Sequence, residues 1–144
     1  MPDIEFFVDR SLGRRLVPTA LRKAGWKLRT HHEVYGERDE EVPDVEWLAM
    51  CGRENLPVLT KDRRLRYRPA EIETIRRFEV LTFVLTGGSL RAEDQAARFD
   101  HSRARIETAC AHRGPAVYAV YKDRIARLFP RETPAFGESR KANP

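Results

Sequence analysis

Short apolar runs alternate with longer stretches of helical spacing through most of this chain. Ile4 to Val8 is a short apolar run ending at Asp9, which predicts a buried strand. Ser11 is placed to cap a following helix, in which Leu12, Leu16, Ala20, Leu21 and Ala24 recur at helical spacing. Pro18 falls inside that stretch and predicts a late start or a kink, and Gly25 supplies a C-cap. Trp26 to Thr30 predicts a second strand, and the polar, acidic segment from His31 to Pro43 predicts a loop. Pro43 suits the first position of a helix, with Asp44 and Glu46 in the first turn, where the helix dipole favours anions. Val45, Leu48 and Ala49 give that helix an apolar side, and it ends near Asn55. Pro57 to Thr60 predicts the next strand, with Lys61-Asp62 at its end.

Arg63 to Arg68 predicts a basic loop, and Pro69 opens a helix carrying Ala70, Ile72 and Ile75. Val80 to Thr86 is the strongest strand signal, broken by Gly87-Gly88-Ser89. Ala92 to His112 predicts one long helix with Ala96, Phe99, Ile106 and Ala109 on its drier side. That stripe predicts docking on the sheet, with a homodimer or partner-protein surface as the alternative. Ala116 to Tyr121 and Arg124 to Phe129, joined by Lys122-Asp123, predict a terminal hairpin. The element order predicts a three-layer α/β fold: a largely parallel central sheet, helices on both faces and a C-terminal β-hairpin. Residues 1–130 are expected to form one domain, followed by a polar, mobile tail over 131–144.

Composition narrows the function. A chain of 144 residues, 41% hydrophobic, can bury one core. No apolar stretch approaches the roughly 20 residues that span a bilayer. The start Met-Pro-Asp-Ile-Glu lacks the basic and hydrophobic regions of a secretory signal. Cys51 and Cys110 have no C-x-x-C spacing, so reduced thiols in a cytoplasmic protein are expected. The charge of +5 is carried mainly by arginine, whose planar fork suits phosphate oxygens. Acidic macromolecules become better candidate partners than neutral metabolites.

Three carboxylates stand where a parallel sheet collects function, at the carboxyl ends of its strands. Asp9 ends the first strand, Asp62 ends the strand at 57–60, and Asp44 opens the helix that feeds that strand. An oxygen-only set of this kind suits the hard cations Mg2+ and Mn2+, which activate water and offset charge on a phosphate under attack. An aspartyl-phosphate phosphatase would want a second Asp two residues after Asp9, and Ser11 stands there.

The segments Phe6-Phe7-Val8-Asp9, Pro43-Asp44-Val45-Glu46-Trp47-Leu48-Ala49 and Val58-Leu59-Thr60-Lys61-Asp62-Arg63-Arg64 resemble the PIN-domain nucleases, most closely the short PIN-like proteins related to VapC-type toxins. The resemblance spans roughly residues 4–85. It implies a metal-dependent ribonuclease, often a toxin restrained by an antitoxin protein, with Asp9, Asp44 and Asp62 as metal ligands. The family usually adds an acid on a helix between the first two of these positions, and here that interval is short. Glu46 ranks first as an auxiliary ligand, ahead of Glu37, Glu40 and Glu41. A catalytically weak module that binds RNA or a partner is the competing reading.

Around Asp62 the charge is strongly positive. Lys61, Arg63, Arg64, Arg66 and Arg68, with Arg10 beside Asp9, are candidate contacts to RNA phosphates. Arg10 equally suits neutralising the carboxylates. Tyr67 could stack on a base. His31-His32-Glu33 reads as strand end or loop surface, Trp26 and Trp47 as packing residues, and Glu71 as a helix-dipole residue close to Asp62.

Overall fold

Six strands form one sheet in the order β2-β1-β3-β4-β5-β6. They are β1 (Glu5–Val8), β2 (Lys27–Thr30), β3 (Val58–Thr60), β4 (Leu81–Leu85), β5 (Ala116–Val120) and β6 (Ile125–Phe129). The computed structural model describes residues 3–131; the tail expected from 131 onward lies outside them, Arg131 apart. Strands β1 to β5 run parallel, and only the hairpin partner β6 is antiparallel. Because β1 pairs with β2 on one side and β3 on the other, the connections change direction between β1 and β3. That reversal opens a crevice at the carboxyl ends of these two strands.

The period-two alternation of β1 sorts the core into two layers. Phe6 and Val8 join Val17, Leu21, Trp26, Phe99 and Ile106 on the face covered by α1 (Leu16–Lys23), α5 (Ala92–His101) and α6 (Arg103–Ala111). Phe7 points to the other face, where Trp47, Leu48, Leu65 and Ile75 pack with α3 (Asp44–Arg53) and α4 (Pro69–Phe78). Helices on both faces of a mostly parallel sheet are what the element order predicted.

Several local expectations are corrected. Helix α1 begins only at Leu16, so Pro18 is its third residue, where the missing N–H is no loss. Its buried side is Val17, Pro18 and Leu21, while Leu16 is 72% exposed. Ser11 lies in a single 3-10 turn (Arg10–Leu12) and caps nothing. Part of the expected loop after Thr30 is a short helix, α2 (His31–Tyr35). Its start is a capping box: the Thr30 hydroxyl accepts from the Glu33 N–H at 3.0 Å, and the Glu33 carboxylate accepts from the Thr30 N–H at 2.9 Å. His31 is therefore buried and helical, not part of a strand end or loop surface.

The long helix expected over 92–112 is two helices meeting at Ser102, which is fully buried. A straight helix of that length would run about 30 Å, well past a five-residue strand of about 17 Å. The break keeps both Phe99 and Ile106 on the same core. It is anchored across the α1–β2 turn, where Trp26 Nε1 donates to Asp100 at 2.8 Å and Arg103 donates to the carbonyls of Ala24 and Gly25. Among the described residues no helix is long and apolar enough to cross a membrane.

Candidate active site at the carboxyl edge

A cavity of about 290 Å³ opens at the crevice between β1 and β3, and Asp9, His31, Asp44, Trp47, Asp62 and Arg68 are among its walls. Three elements bring the acids there. Asp9 follows the last residue of β1, and its N–H still donates to the Leu59 carbonyl of β3 at 3.0 Å. Asp62 follows β3 by two residues. Asp44 is the first residue of α3, which runs back against the sheet, so its N-terminus returns to the same edge.

Asp9 is 6% exposed and is held by hydroxyls. Its Oδ2 accepts from Thr60 at 2.7 Å and from Ser11 at 2.8 Å. The same two oxygens accept backbone N–H groups of the next turn: Thr60 Oγ1 from Asp62 at 3.0 Å, and Ser11 Oγ from Lys61 at 3.0 Å. The Thr60-Lys61-Asp62 spacing thus has a physical function. One threonine hydroxyl donates a hydrogen bond to the buried carboxylate and fixes the backbone that presents the half-buried one. Burial pushes the Asp9 carboxyl above its ordinary range, the two hydroxyls oppose that, and the Asp44 charge adds to the rise.

Asp44 and Asp62 are oriented differently. The Trp47 indole N–H donates to Asp44 Oδ1 at 2.9 Å, so a residue read as pure packing also aims a carboxylate. Asp62 Oδ1 accepts the Arg64 backbone N–H at 3.1 Å. The remaining oxygens of both acids face one guanidinium: Arg68 Nη1 lies 3.2 Å from Asp44 Oδ2 and 2.9 Å from Asp62 Oδ2. Glu71 Oε2, on the first turn of α4, is 3.7 Å from the same nitrogen. Its bond to Asp62 pushes the Arg68 guanidinium further above its usual range.

The structure brings Asp9, Asp44, Asp62, Arg10 and Arg68 around one cavity and leaves Glu46 outside it. Glu46 faces Arg38 at 3.7 Å. Arg68, expected among the RNA-facing arginines, points into the carboxylates. Lys61, Arg63, Arg64 and Arg10 are exposed, Arg10 lines the cavity, and the Arg64 guanidinium lies 3.7 Å from Asp62 Oδ1. Arg66 stacks over the Tyr67 ring at 4.1 Å, and Tyr67 is 66% exposed. The interval between Asp9 and Asp44 contributes no fourth acid to the cavity. Glu33, its helical acid, is tied to Arg22 at 2.8 Å and to the cap of α2.

His31 was undervalued in the sequence. It packs among Phe7, Tyr35 and Trp47, and its Nδ1 is buried without a hydrogen-bond partner. Burial lowers its pKa, against the opposing charge of Asp9, and so favours the neutral ring where it lines the cavity. The Thr-x-x-Glu box at 30–33 was the signal that this segment is helical. Cys51 lies beneath the same layer, and burial raises its thiol far from nucleophilic use.

The donor chemistry fits a hard divalent cation, since every acid at the cavity offers carboxylate oxygen. Among the described residues no three acid, His or Cys side chains are gathered closely enough to coordinate one ion as they stand. A guanidinium instead lies between Asp44 and Asp62 as the stand-in cation.

A mostly parallel α/β sheet with an acidic centre at its strand-reversal crevice defines a class, and the family comparison names it. The model of the PIN-like domain matches residues 4–87, a stretch that contains Asp9, Asp44, Asp62 and Arg68, and the chain belongs to that family. PIN nucleases generally depend on divalent metal. Among curated proteins, the one named "Putative ribonuclease VapC45", from Mycobacterium tuberculosis (strain ATCC 25618 / H37Rv), is 37% identical over 124 residues. The match covers 85% of this chain and 90% of that protein. No solved structure matches the chain.

Proposed function

We propose that this protein is a divalent-metal-dependent endoribonuclease and the toxin of a toxin–antitoxin pair, with Asp9, Asp44 and Asp62 as its metal-holding acids. The observation that carries the reading is the hydrogen-bonded unit Asp9–Thr60–Asp62, closed by Asp44 across Arg68. Family membership and the name of the VapC45 relative support the same activity. Mg2+ or Mn2+ would supply activation of the attacking water and neutralisation of the phosphate. Trp47 and the Arg64 N–H hold the acids in place, and the hydroxyls of Thr60 and Ser11 favour the ionised form of Asp9 against its burial. Arg10, Lys61, Arg63 and Arg64 supply a rim of exposed cations for the RNA backbone, with Tyr67 as a stacking surface. The two unpaired thiols, Cys51 and Cys110, fit a reducing compartment such as the cytoplasm. An antitoxin protein is the proposed partner, and a homodimer through the outer faces of α5 and α6 is a further proposal, tested by light scattering of the purified chain.

The test is cleavage of RNA by purified protein in Mg2+ or Mn2+, with and without EDTA, beside Asp62→Asn. Cleavage that requires metal and fails in the variant supports the assignment. Equal cleavage by the variant, or in EDTA, would remove it. A second reading, an RNA-binding module without turnover, is favoured by the absence of a fourth acid from the interval between Asp9 and Asp44. Salt-sensitive RNA binding with no cleavage of any RNA would decide for it.

A further inference from the structure

We propose that Arg68 is a displaceable internal counter-ion: it holds the acidic centre together without metal and must leave its carboxylates when a divalent cation binds. This rests on the metal reading above and concerns what competes for that site. The bonding of the acids leaves little choice. Asp44 Oδ1 is taken by the Trp47 indole N–H and Asp62 Oδ1 by the Arg64 backbone N–H, both neutral donors fixed by the fold. The inward-facing oxygens are therefore Asp44 Oδ2 and Asp62 Oδ2, and Arg68 Nη1 binds both. A guanidinium nitrogen carries two hydrogens, so these two bonds use it fully, and Glu71 at 3.7 Å contributes charge only.

A cation bound by the same oxygens competes with the guanidinium for them. Each oxygen keeps a second lone pair, but two positive centres a few ångströms apart repel. Asp9 has no such conflict, because its partners, the hydroxyls of Ser11 and Thr60, are neutral and both bind Oδ2. Arg68 can also move. Its backbone is anchored at the start of α4, where its carbonyl accepts from Ile72 at 3.0 Å, but its side chain is 32% exposed. A long side chain at the mouth of a cavity has somewhere to go. In a centre of Asp9, Asp44, Asp62 and Glu71, with the exposed Arg64 guanidinium 3.7 Å from Asp62 Oδ1, the single positive charge of Arg68 is exchanged for a double one. The protein is spared bare carboxylate repulsion before metal arrives, and its apparent metal affinity is reduced by the fraction of molecules in which Arg68 is docked.

The experiment is calorimetric titration of Mn2+ into metal-free wild type, Arg68→Ala and Arg68→Lys, with folding of each confirmed by circular dichroism. Arg68→Ala should bind Mn2+ roughly tenfold tighter than wild type, the scale of losing one competing charge-assisted pair. Arg68→Lys, which restores a competing charge, should fall nearer wild type. Unchanged or weaker binding by folded Arg68→Ala overturns the inference while leaving the metal site intact. If no form binds Mn2+, the metal reading fails and this inference with it. Should Arg68→Ala not fold, the wild type supplies the answer. On titration with Mg2+ to saturation the Arg68 side-chain N–H resonances should shift and exchange faster with water, and resonances unmoved at saturation would overturn displacement.

Discussion

The two ends of the same parallel sheet each carry an acid-lined cavity, and they differ in what the acids do. The cavity at the amino edge is the larger, about 590 Å³ against 290 Å³, and Asp3, Glu5, Glu54, Glu79 and Glu107 line it. Four of these five acids stand in ion pairs, two of them on one arginine. Arg29 binds Glu5 at 2.9 Å and Glu54 at 2.7 Å, Lys27 meets Asp3 at 3.4 Å, and Arg103 meets Glu107 at 3.3 Å. At the carboxyl edge a shared arginine recurs, but one acid, Asp9, is buried and held by hydroxyls. One guanidinium serves Asp44 and Asp62, and one threonine links Asp9 to the backbone of Asp62. Neither the size of a cavity nor its count of acids marks a reactive centre. A buried carboxylate joined through a hydroxyl to the segment that carries its neighbour does, and the strand reversal between β1 and β3 supplies it at one edge only.

The sharpest way to break this contrast is to remove charge at each edge. Asp44→Asn is expected to lower RNA cleavage by about two to three orders of magnitude, the scale of losing a group that stabilises developing charge. Glu54→Gln should change it by less than about twofold, since Glu54 is itself exposed. Comparable losses in a gel assay would erase the distinction. Thr60→Val tests the shared hydroxyl. It should cost roughly 10- to 100-fold in cleavage, as loss of groups supporting metal ligands does. It should also cost about 1–3 kcal/mol in urea unfolding, because a buried carboxylate loses a donor. Thr60→Ser should recover most of both.

A further variant inverts the pattern. Gly52 of α3 lies against α4, and a Cβ there would overlap the Phe78 carbonyl and side chain at the amino edge. Gly52→Ala should lose about 1–3 kcal/mol of stability through overpacking while the folded protein keeps its specific activity. A loss of activity at full folding would couple the two edges.

The smallest effect concerns pH. Burial raises Asp9 above its ordinary 3.8, so the folded state binds that proton more tightly than the unfolded chain. Its contribution to stability is present below pH 3.8 and is lost as pH rises through the folded value. In metal-free buffer at neutral pH, Asp9→Asn should therefore raise the melting midpoint and remove that share of the pH slope. A lower midpoint would mean that the ionised carboxylate stabilises the fold.

Much of the carboxyl edge was legible from local signals. Asp9 and Asp62 follow strands whose apolar runs are unambiguous, and Pro43-Asp44 reads as a helix start, so topology alone brings them to one edge. What was hidden depends on partners distant in sequence. Arg68 looks like one more basic residue in a basic loop, because its carboxylates arrive from α3 and from the end of β3. Ser11 resembles a helix cap until Lys61, fifty residues on, supplies the N–H it accepts. The break at Ser102 leaves the apolar stripe intact on both sides, so periodicity predicted one helix. Only the width of the sheet beneath requires two. His31 was the readable miss, since Thr30 and Glu33 spell a capping box that places it on a helix facing Phe7 and Trp47.

The most direct test of the contrast between the edges is to grow crystals, soak them in Mn2+ and collect anomalous scattering at a wavelength where manganese contributes. A peak bounded by Asp9, Asp44 and Asp62, with the Arg68 side chain moved off their oxygens and no peak among Glu5, Glu54 and Glu79, is the expected result. A saturated crystal whose manganese lies only at the amino edge, or nowhere near Asp62, would contradict the assignment of the carboxyl edge as the metal centre.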